Sequence, residues 1–295
     1  MSRLRQLCWW PLTGRAARAY VAGPLLSDAL DVCRGLARAG LGSTIGFWNG
    51  HDAMPRHVAD AQLAGLERLA RETWDCHLSL KAPPLTYSRT LLGEIVDWAW
   101  RARARLHFDS HSPDTVEPTF ALIDEYHGLS SLGCTLPGRW SRSLGDAERV
   151  VRLGLRVRVV KGQWADPDGP EPDARAGFLA VVNRLAGRAR HVAVATHDAP
   201  LAREALHRLC SAGTSCELEL LLGLPVREAT EVARAIGVGI RCYVPYGQPS
   251  LPYRVADAGR NPWIAWWMAR DLVLGGAAAR HWATTCARSM MPART

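Results

Sequence analysis

The chain has 295 residues, and 48% of them are hydrophobic, so it can bury a large core. Its formal net charge is +8, but the arginines are spread along helical segments and form no basic run interleaved with aromatic residues, which argues against nucleic-acid binding. No apolar run approaches the roughly 18 residues of a membrane span, and residues 1–20 lack the apolar stretch of a signal peptide. We therefore expect a cytoplasmic protein without a transmembrane segment.

Taken from the N-terminus, the sequence predicts helices before residue 43 and then short apolar runs that alternate with amphipathic stretches. The runs predict eight strands, over Ser43–Trp48, Cys76–Lys81, Arg105–Asp109, Gly133–Leu136, Arg156–Lys161, His191–Thr196, Cys216–Leu221 and Gly239–Tyr243. Helices are predicted over Leu26–Ala39, Met54–Thr73, Thr115–Tyr126, Ala174–Ala186, Pro200–Ala212 and Arg227–Ile236. This alternation favours an α/β fold, a closed TIM-like (β/α)8 barrel. An open doubly wound sheet is the alternative, but no GxGxxG motif follows an early strand.

We expect two parts of the chain. Residues 1–42 form an N-terminal helical segment that packs on the barrel, and residues 43–295 form the barrel itself. After Tyr243 the sequence contains several prolines and then the tryptophan-rich stretch NPWIAWWMARDLVLG, for which we expect a C-terminal helical segment. The sequence does not indicate an oligomeric state.

Polar side chains gather where the predicted strands end, which is where the active sites of such barrels lie. They are Lys81, Asp109, Arg158, Lys161, Thr196, His197, Asp198, Glu217, Glu219, Tyr243 and Tyr246. Lys81 and Lys161 are the only lysines in a chain with 36 basic residues. Because charges inside apolar strands are costly unless they are paired, these residues predict a shared polar site or a salt-bridge network that closes the barrel mouth.

The residues alone leave the chemistry of this site open. Lysine, arginine and backbone amides at strand ends suit an anionic ligand such as phosphate. A metal-dependent hydrolase is a second interpretation, because His107, Asp109 and His111 recur at every second position and His197 and Asp198 end a later strand. The sequence contains no Ser–His–Asp order with a nucleophile elbow. We expect a site without metal.

The eight cysteines lie at positions 8, 33, 76, 134, 210, 216, 242 and 286. None of them forms a CxxC pair. We expect them to be small buried hydrophobic residues in a reducing compartment.

Six strings occur in register along the barrel pattern: LSLKAP, RLHFDSH, RVRVVKGQW, AVATHD, ELELLLG and RCYVPYGQPSLPY. With the N-terminal RAARAYVAG and GLGSTIGFW they extend over nearly the whole chain. In this order and spacing they resemble the proline dehydrogenase family. The resemblance implies a modified (β/α)8 barrel that binds FAD and passes hydride from its substrate to the flavin.

The resemblance also implies roles for single residues. Arg158 would donate toward the flavin N5 region, and Trp164 would line the flavin where the family usually has tyrosine. Lys81 and Asp109 would be charges of the active site. The other flavin-side positions are Val160, Lys161, Gly162, Thr196 and His197, together with Leu221, which would wall the substrate pocket. The aromatic residues packed around the substrate would be Tyr243 and Tyr253.

The segment after Tyr253 departs from the family's pattern. The family has two adjacent arginines that grip the proline carboxylate and then a glutamate, whereas this chain has Ala256, Asp257 and Arg260 at those positions. Asp257 and Arg260 thus reverse the arginine–glutamate pair, and we expect both to act in the site. Loss of a buried bidentate clamp would weaken binding of a proline-like carboxylate by about 2–5 kcal/mol.

The first predicted function is therefore an FAD-dependent dehydrogenase that oxidises a different small amine, imine or related nitrogen compound, of the kind met in specialised metabolism. A genuine L-proline dehydrogenase, in which Lys81, Arg254 or Arg260 holds the carboxylate, is the second. A barrel that binds flavin or a partner without turnover and the metal-dependent hydrolase are the remaining alternatives. The electron acceptor stays open among quinone, oxygen and a carrier flavoprotein.

Overall fold

The computed structural model describes residues 17–50, 52–128, 132–169 and 173–249. Eight strands in these ranges form one closed parallel barrel in chain order. They are β1 (Gly42–Trp48), β2 (Cys76–Leu80), β3 (Arg105–Phe108), β4 (Leu132–Pro137), β5 (Arg156–Val160), β6 (His191–Ala195), β7 (Cys216–Leu221) and β8 (Gly239–Gly247). Strand β1 pairs with both β2 and β8, and this second pairing closes the barrel.

A helix lies between each pair of consecutive strands, and another precedes β1. In chain order they are α1 (Leu26–Arg38), α2 (Pro55–Leu69), α3 (Arg89–Ala102), α4 (Val116–Tyr126), α5 (Ser143–Arg152), α6 (Ala174–Leu185), α7 (Ala199–Ser211) and α8 (Arg227–Ile236). Helix α1 packs on β1 and β8. Within the described ranges, every helix is too short or too polar to cross a membrane.

The strands alternate between apolar side chains that face the helices and polar side chains that face the barrel interior. In β5, Val157 and Val159 belong to the hydrophobic core that the helices cover. Arg158 lies between them and hydrogen bonds to Glu219 of β7, a strand that is not a neighbour of β5. Such a contact runs through the barrel interior, since neighbouring side chains of a strand point to opposite faces. The interior is therefore polar, and the main apolar core surrounds the barrel.

Local signals set the ends of the helices near the site. Asp198 precedes α7, and its carboxylate accepts the backbone N–H of Leu201 at 3.0 Å. Gly237 ends α8 with φ of 82°, in the left-handed region that glycine tolerates without cost. These caps fix where β6 gives way to α7 and where the chain turns back into β8.

The predicted (β/α)8 barrel is confirmed, and each of the eight predicted strands is present with small shifts at its ends. The largest shift is in β8, which continues to Gly247 instead of ending at Tyr243. The six predicted helices are confirmed, whereas α3 and α5 were not predicted. The division at residue 42 remains a prediction, and the predicted C-terminal helical segment lies outside the described residues.

The expectation that the cysteines are buried is confirmed for some of them and wrong for others. Those that are buried are Cys33, Cys134 and Cys242. Cys76 and Cys216 are half-buried, and Cys210 is exposed at the end of α7, where a helix meets solvent instead of the barrel. Cys8 and Cys286 lie outside the described residues.

Candidate active site

An arginine and a glutamate form a bidentate ion pair inside the barrel. Nε and Nη2 of Arg158 donate to the carboxylate oxygens of Glu219 at 2.8 and 2.7 Å. Nη1 of Arg158 donates to Asp109 at 2.6 Å. Only 6% of the Arg158 side chain and 4% of the Glu219 side chain are exposed. Although burial opposes the charge, the carboxylates of Glu219 and Asp109 hold the pKa of Arg158 above its ordinary value.

Asp109 joins three other strands to β3, which it directly follows. Its Oδ1 accepts from the hydroxyl of Ser79 on β2 as well as from Arg158 on β5. Its Oδ2 accepts from the hydroxyl of Tyr243 on β8 at 2.7 Å. We call Ser79, Asp109, Arg158, Glu219 and Tyr243 the mouth cluster. Because both carboxylate oxygens of Asp109 have donors, the cluster holds its members in fixed positions.

Tyr243 depends on a glycine across the β1–β8 pair. A Cβ atom at Gly46 would lie 2.2 Å from the hydroxyl oxygen of Tyr243, which no side chain tolerates. The guanidinium carbon of Arg158 lies 5.1 Å from the centroid of the Tyr243 ring, in cation–π geometry. Burial, followed by the charge of Asp109, raises the pKa of Tyr243 well above its ordinary value, so its hydroxyl stays a donor.

Lys81 follows β2 and brings a second cation to the same end of the barrel. Its Nζ lies 5.7 Å from the centroid of the Trp48 ring. No carboxylate of the described residues lies within ion-pair distance of it. Burial lowers the pKa of Lys81, and the charge of Asp109 offsets part of that effect. Lys81 is thus a desolvated cation that a ligand's anionic group can pair with.

The turn after β5 contains a tightly packed glycine and an exposed aromatic ring. Gly162 has φ of 96°, and a Cβ atom there would lie 2.9 Å from Cβ of Pro137. Trp164 is 44% exposed, and its ring centroid lies 5.6 Å from that of His111. Nε1 of Trp140 donates to the carbonyl of Trp164 at 2.9 Å, which holds the turn in place. The exposed ring of Trp164 is therefore the surface that this turn offers to a planar ligand.

Lys161 and Asp198 connect the turns that follow β5 and β6. Nζ of Lys161 donates to Asp198 at 3.1 Å, and 43% of the lysine side chain remains exposed. Thr196 is buried, and its hydroxyl accepts the backbone N–H of Asp198 at 3.2 Å. In the part of the chain that the structure describes, the proton of this hydroxyl has no acceptor, so it can serve a ligand at the mouth.

His197 has both ring nitrogens engaged by backbone. Its Nδ1 lies 2.7 Å from the carbonyl of Pro225, and its Nε2 accepts the N–H of Leu221 at 2.9 Å. This pairing requires the neutral tautomer with the proton on Nδ1. Burial lowers the pKa of His197 to about 4, in spite of the hydrogen bond to Pro225. The ring edge and face, not a ring nitrogen, are therefore what His197 presents to a ligand, and Leu221 is fixed beside it.

A second group of charges occupies the opposite end of the barrel. Nε of Arg241 donates to Glu217 at 2.9 Å, and its Nη1 donates to the carbonyl of Ser43 at 2.7 Å. Nη2 of Arg241 donates to Asp75, which precedes β2. Only 2% of the Arg241 side chain is exposed. We call Asp75, Glu217 and Arg241 the floor network.

The expectation that Glu217 belongs to the polar residues at the mouth is therefore wrong. It lies at the start of β7, where the strand enters the barrel, and pairs with Arg241. Tyr246 is also placed elsewhere, because its ring packs 5.3 Å from that of Phe47 in the core outside the barrel. Ser79, Gly46 and Arg241 were not predicted as site or network residues.

The arrangement gives no support to the metal-dependent hydrolase. Nε2 of His107 lies 2.9 Å from the hydroxyl of Thr135, and Asp109 is taken up by the mouth cluster. His197 is bound to backbone at both nitrogens. In the part of the chain that the structure describes, no three His, Cys, Asp or Glu side chains are placed to hold a metal ion.

Some of the predicted site residues lie outside the described residues. They are Tyr253, Asp257 and Arg260, with Arg254 and Ala256 beside them. Among the described ones, the mouth cluster contains Asp109, Arg158 and Tyr243. Lys81 follows β2. Val160 ends β5, Lys161 to Trp164 follow it, and Thr196 and His197 follow the adjacent strand β6.

Comparison with known proteins identifies a curated protein that is similar over most of the chain. No family profile matches the chain. A protein of Deinococcus radiodurans named proline dehydrogenase is 23% identical over 285 residues, which covers 87% of this chain and 89% of that protein. The chain is therefore similar to a proline dehydrogenase over most of its length. The resemblance drawn from the six sequence strings is thereby confirmed.

Solved structures agree on the fold. Proline utilization A from Bdellovibrio bacteriovorus, inactivated by N-propargylglycine, matches with a TM-score of 0.69 at 15% identity over 87% of this chain. Proline utilization A from Corynebacterium freiburgense matches with a TM-score of 0.67 at 14% identity over 97% of this chain. The chain spans about a third of the length of these proteins, 32% and 34% respectively.

The residues beyond β5 and β6 fit a flavin. Together they offer a partly exposed ammonium on Lys161, an exposed indole on Trp164 and a hydroxyl on Thr196. Cations and hydroxyls suit the oxygens of a phosphate or of an anionic ring, and an aromatic face suits a planar ring system. This donor set matches the flavin that the resemblance implies.

Proposed function

We propose that this chain is an FAD-dependent oxidoreductase of the proline dehydrogenase type, which removes hydride from a carbon next to nitrogen in a small amine or imine. The observation that carries the proposal is the mouth cluster. It joins Asp109, Arg158 and Tyr243, three residues to which the resemblance assigns active-site roles, in one hydrogen-bonded group inside the barrel. The 23% identity to a protein named proline dehydrogenase supports the reaction class.

FAD would supply the hydride acceptor of this reaction. Lys161, Gly162 and Trp164 would hold it after β5, with Thr196 after β6. Arg158 has five N–H groups, and within the described residues its hydrogen bonds engage four of them, one of which, to Thr135, is long at 3.4 Å. The remaining N–H can serve the cofactor, and its fixed positive charge would favour the anionic reduced state.

The substrate we propose differs from proline in lacking a carboxylate that must be gripped by an arginine pair. Ala256 and Asp257 occupy the two arginine positions of the family's pattern. An aspartate there would repel a carboxylate and attract a protonated amine. Tyr243, whose hydroxyl is held by Asp109, would form part of the cage around the amine.

L-Proline itself is the second candidate, and Lys81 favours it. This cation lies at the mouth, is desolvated and has no carboxylate within ion-pair distance among the described residues. It can therefore take the proline carboxylate in place of the missing arginines.

The visible absorption spectrum of the purified protein, followed by anaerobic titration, tests both candidates. We expect the bands of an oxidised flavin, and bleaching by pyrrolidine, which is proline without its carboxylate. Bleaching by L-proline at lower concentrations than pyrrolidine would establish the second candidate instead. A protein that binds no flavin even after FAD is supplied would overturn the proposal as a whole.

A further inference from the structure

Two cysteines meet at the end of the barrel opposite the mouth cluster. Sγ of Cys210 lies 3.6 Å from Sγ of Cys216. Cys210 is exposed in the last turn of α7, and Cys216 is the half-buried first residue of β7. We propose that this thiol pair is a modification site, which hydroperoxide oxidants convert into an intramolecular disulfide. The proposal does not depend on the proposed enzymatic function.

The short connection between the two cysteines is held in place by hydrogen bonds. The N–H of Gly213 donates to the carbonyl of Cys210 at 3.0 Å, and the N–H of Thr214 donates to Leu209 at 2.9 Å. The hydroxyl of Thr214, a buried residue, accepts the N–H of Gly187 at 2.6 Å. These hydrogen bonds restrict the conformations of the connection and keep the two thiols close together. The loss of conformational entropy on forming a disulfide is therefore small.

A disulfide needs a sulfur–sulfur distance of about 2.0 Å and a defined torsion about the new bond. The remaining gap is small, and one of the two side chains is exposed and can rotate. The pair is therefore closer to a bonded geometry than two cysteines that merely share a surface.

Exposure assigns the order of the reaction. The Cys210 thiolate attacks one oxygen of the peroxide, the O–O bond breaks, and Cys210 becomes a sulfenic acid as hydroxide leaves. The sulfur of Cys216 then displaces the hydroxyl group, so that an S–S bond forms, the S–O bond breaks and the thiol proton leaves in water. Two thiols lose two electrons and two protons, and one hydrogen peroxide gives two waters.

The pKa of Cys216 agrees with this order. Burial, and then the neighbouring Cys210 thiol, raise the pKa of Cys216 to about 12. Cys216 is thus a poor first nucleophile at neutral pH and acts as the resolving partner once Cys210 carries a leaving group.

Peptide mapping of the full chain tests the proposal without any variant. Trypsin cleaves after Arg208 and after Arg227, and the fragment between them contains Cys210 and Cys216 and no other cysteine. After brief hydrogen peroxide treatment, denaturation and alkylation, we expect this fragment to carry no alkyl group and to be about 2 Da lighter than the reduced peptide. Reduction with dithiothreitol should restore two alkylation sites.

A matched variant distinguishes pairing from independent oxidation. In Cys210→Ser we expect Cys216 to remain alkylatable at the peroxide dose that closes the wild-type pair. If the wild-type fragment keeps both alkyl groups at doses that oxidise other cysteines, or is linked to a different peptide, the assignment is wrong. If Cys216 were oxidised in Cys210→Ser as fast as in wild type, its oxidation would not require Cys210, and the proposed disulfide pair would also be wrong.

Discussion

Glu219 meets Arg158 through two parallel hydrogen bonds, and Asp109 takes a third from the same guanidinium. One buried cation therefore faces the buried carboxylate of Glu219 and the half-buried carboxylate of Asp109. Removal of the cation leaves two negative charges without their partner, whereas removal of Glu219 leaves the cation with Asp109. The mouth cluster thus depends more on its arginine than on either acid.

We expect Arg158→Met to lower the free energy of unfolding by about 3–5 kcal/mol, because it leaves buried carboxylates uncompensated. Glu219→Gln should cost less, about 1.5–3 kcal/mol, since an amide oxygen still accepts one hydrogen bond. Denaturant unfolding measures both. Arg101→Met, at a side chain that is 77% exposed, is the control and should change stability by less than about 0.5 kcal/mol. If Glu219→Gln lowered the free energy of unfolding by more than Arg158→Met does, the mouth cluster would not depend mainly on its arginine.

Gly46→Ala should displace Tyr243. The new methyl group would lie 2.2 Å from the tyrosine hydroxyl, so we expect loss of the Tyr243–Asp109 hydrogen bond and destabilisation by about 1–3 kcal/mol. Gly35→Ala in α1 is the matched control. No atom lies within 4 Å of a Cβ there, and it should stabilise the protein by about 0.5–1 kcal/mol through helix propensity. Thermal unfolding of the two variants should therefore shift in opposite directions.

His197 makes stability depend on pH in a defined window. Its pKa falls from 6.5 to about 4 on folding, so the unfolded chain takes up a proton first as the pH falls. Stability is lost between pH 6.5 and about 4, and this contribution is constant below pH 4. The expected loss is about 3 kcal/mol at the acid end of the window.

The pH dependence of the unfolding free energy in wild type and in His197→Gln isolates this contribution. The variant should lose less stability than wild type between pH 6.5 and 4. His207→Gln, on the exposed face of α7, should follow wild type over the same range. Parallel curves for wild type and His197→Gln would mean that His197 is not the group responsible.

Asp257 tests the proposed substrate. If Asp257 repels a carboxylate in the site, Asp257→Ala should raise the ratio of kcat/KM for L-proline to kcat/KM for pyrrolidine by about tenfold, or about 1.4 kcal/mol. Asp97→Ala, at an exposed position of α3, is the control. If Asp257→Ala leaves every kinetic constant of both substrates unchanged, the proposed change of substrate is wrong.

The sequence predicted the barrel because buried parallel strands are short apolar runs and the intervening helices are amphipathic. Helix α3 was not predicted because Gly93 lies in its interior and because its two tryptophans make the apolar face of the helix hard to recognise in the sequence. The charged members of the mouth cluster were predicted because charge inside an apolar strand needs a partner. Ser79 lies two residues before Lys81, so the alternation of a strand places both side chains on the same side. This alternation could have predicted Ser79 as a site residue.

The position of Glu217 along the barrel was predicted wrongly, although the sequence contained the signal for it. Alternation assigns both Glu217 and Glu219 to the interior. The predicted strand Cys216–Leu221 has Glu217 as its second residue, at the amino end that lies away from the mouth. Glu217 was nevertheless placed at the mouth, whereas the register pairs it with Gly239 at the other end.

The floor network has an evolutionary consequence. Arg241 is bound by Glu217, Asp75 and the carbonyl of Ser43, and a Cβ atom at Gly42 would lie 3.0 Å from its guanidinium. Replacement of Arg241 leaves the largely buried Glu217 without its guanidinium, and a methyl group at Gly42 crowds that guanidinium, so a second change is needed to relieve either one. Lineages that descend from this sequence should therefore exchange these residues jointly. The end of the barrel that lies away from the proposed active site is then the end whose substitutions must occur together.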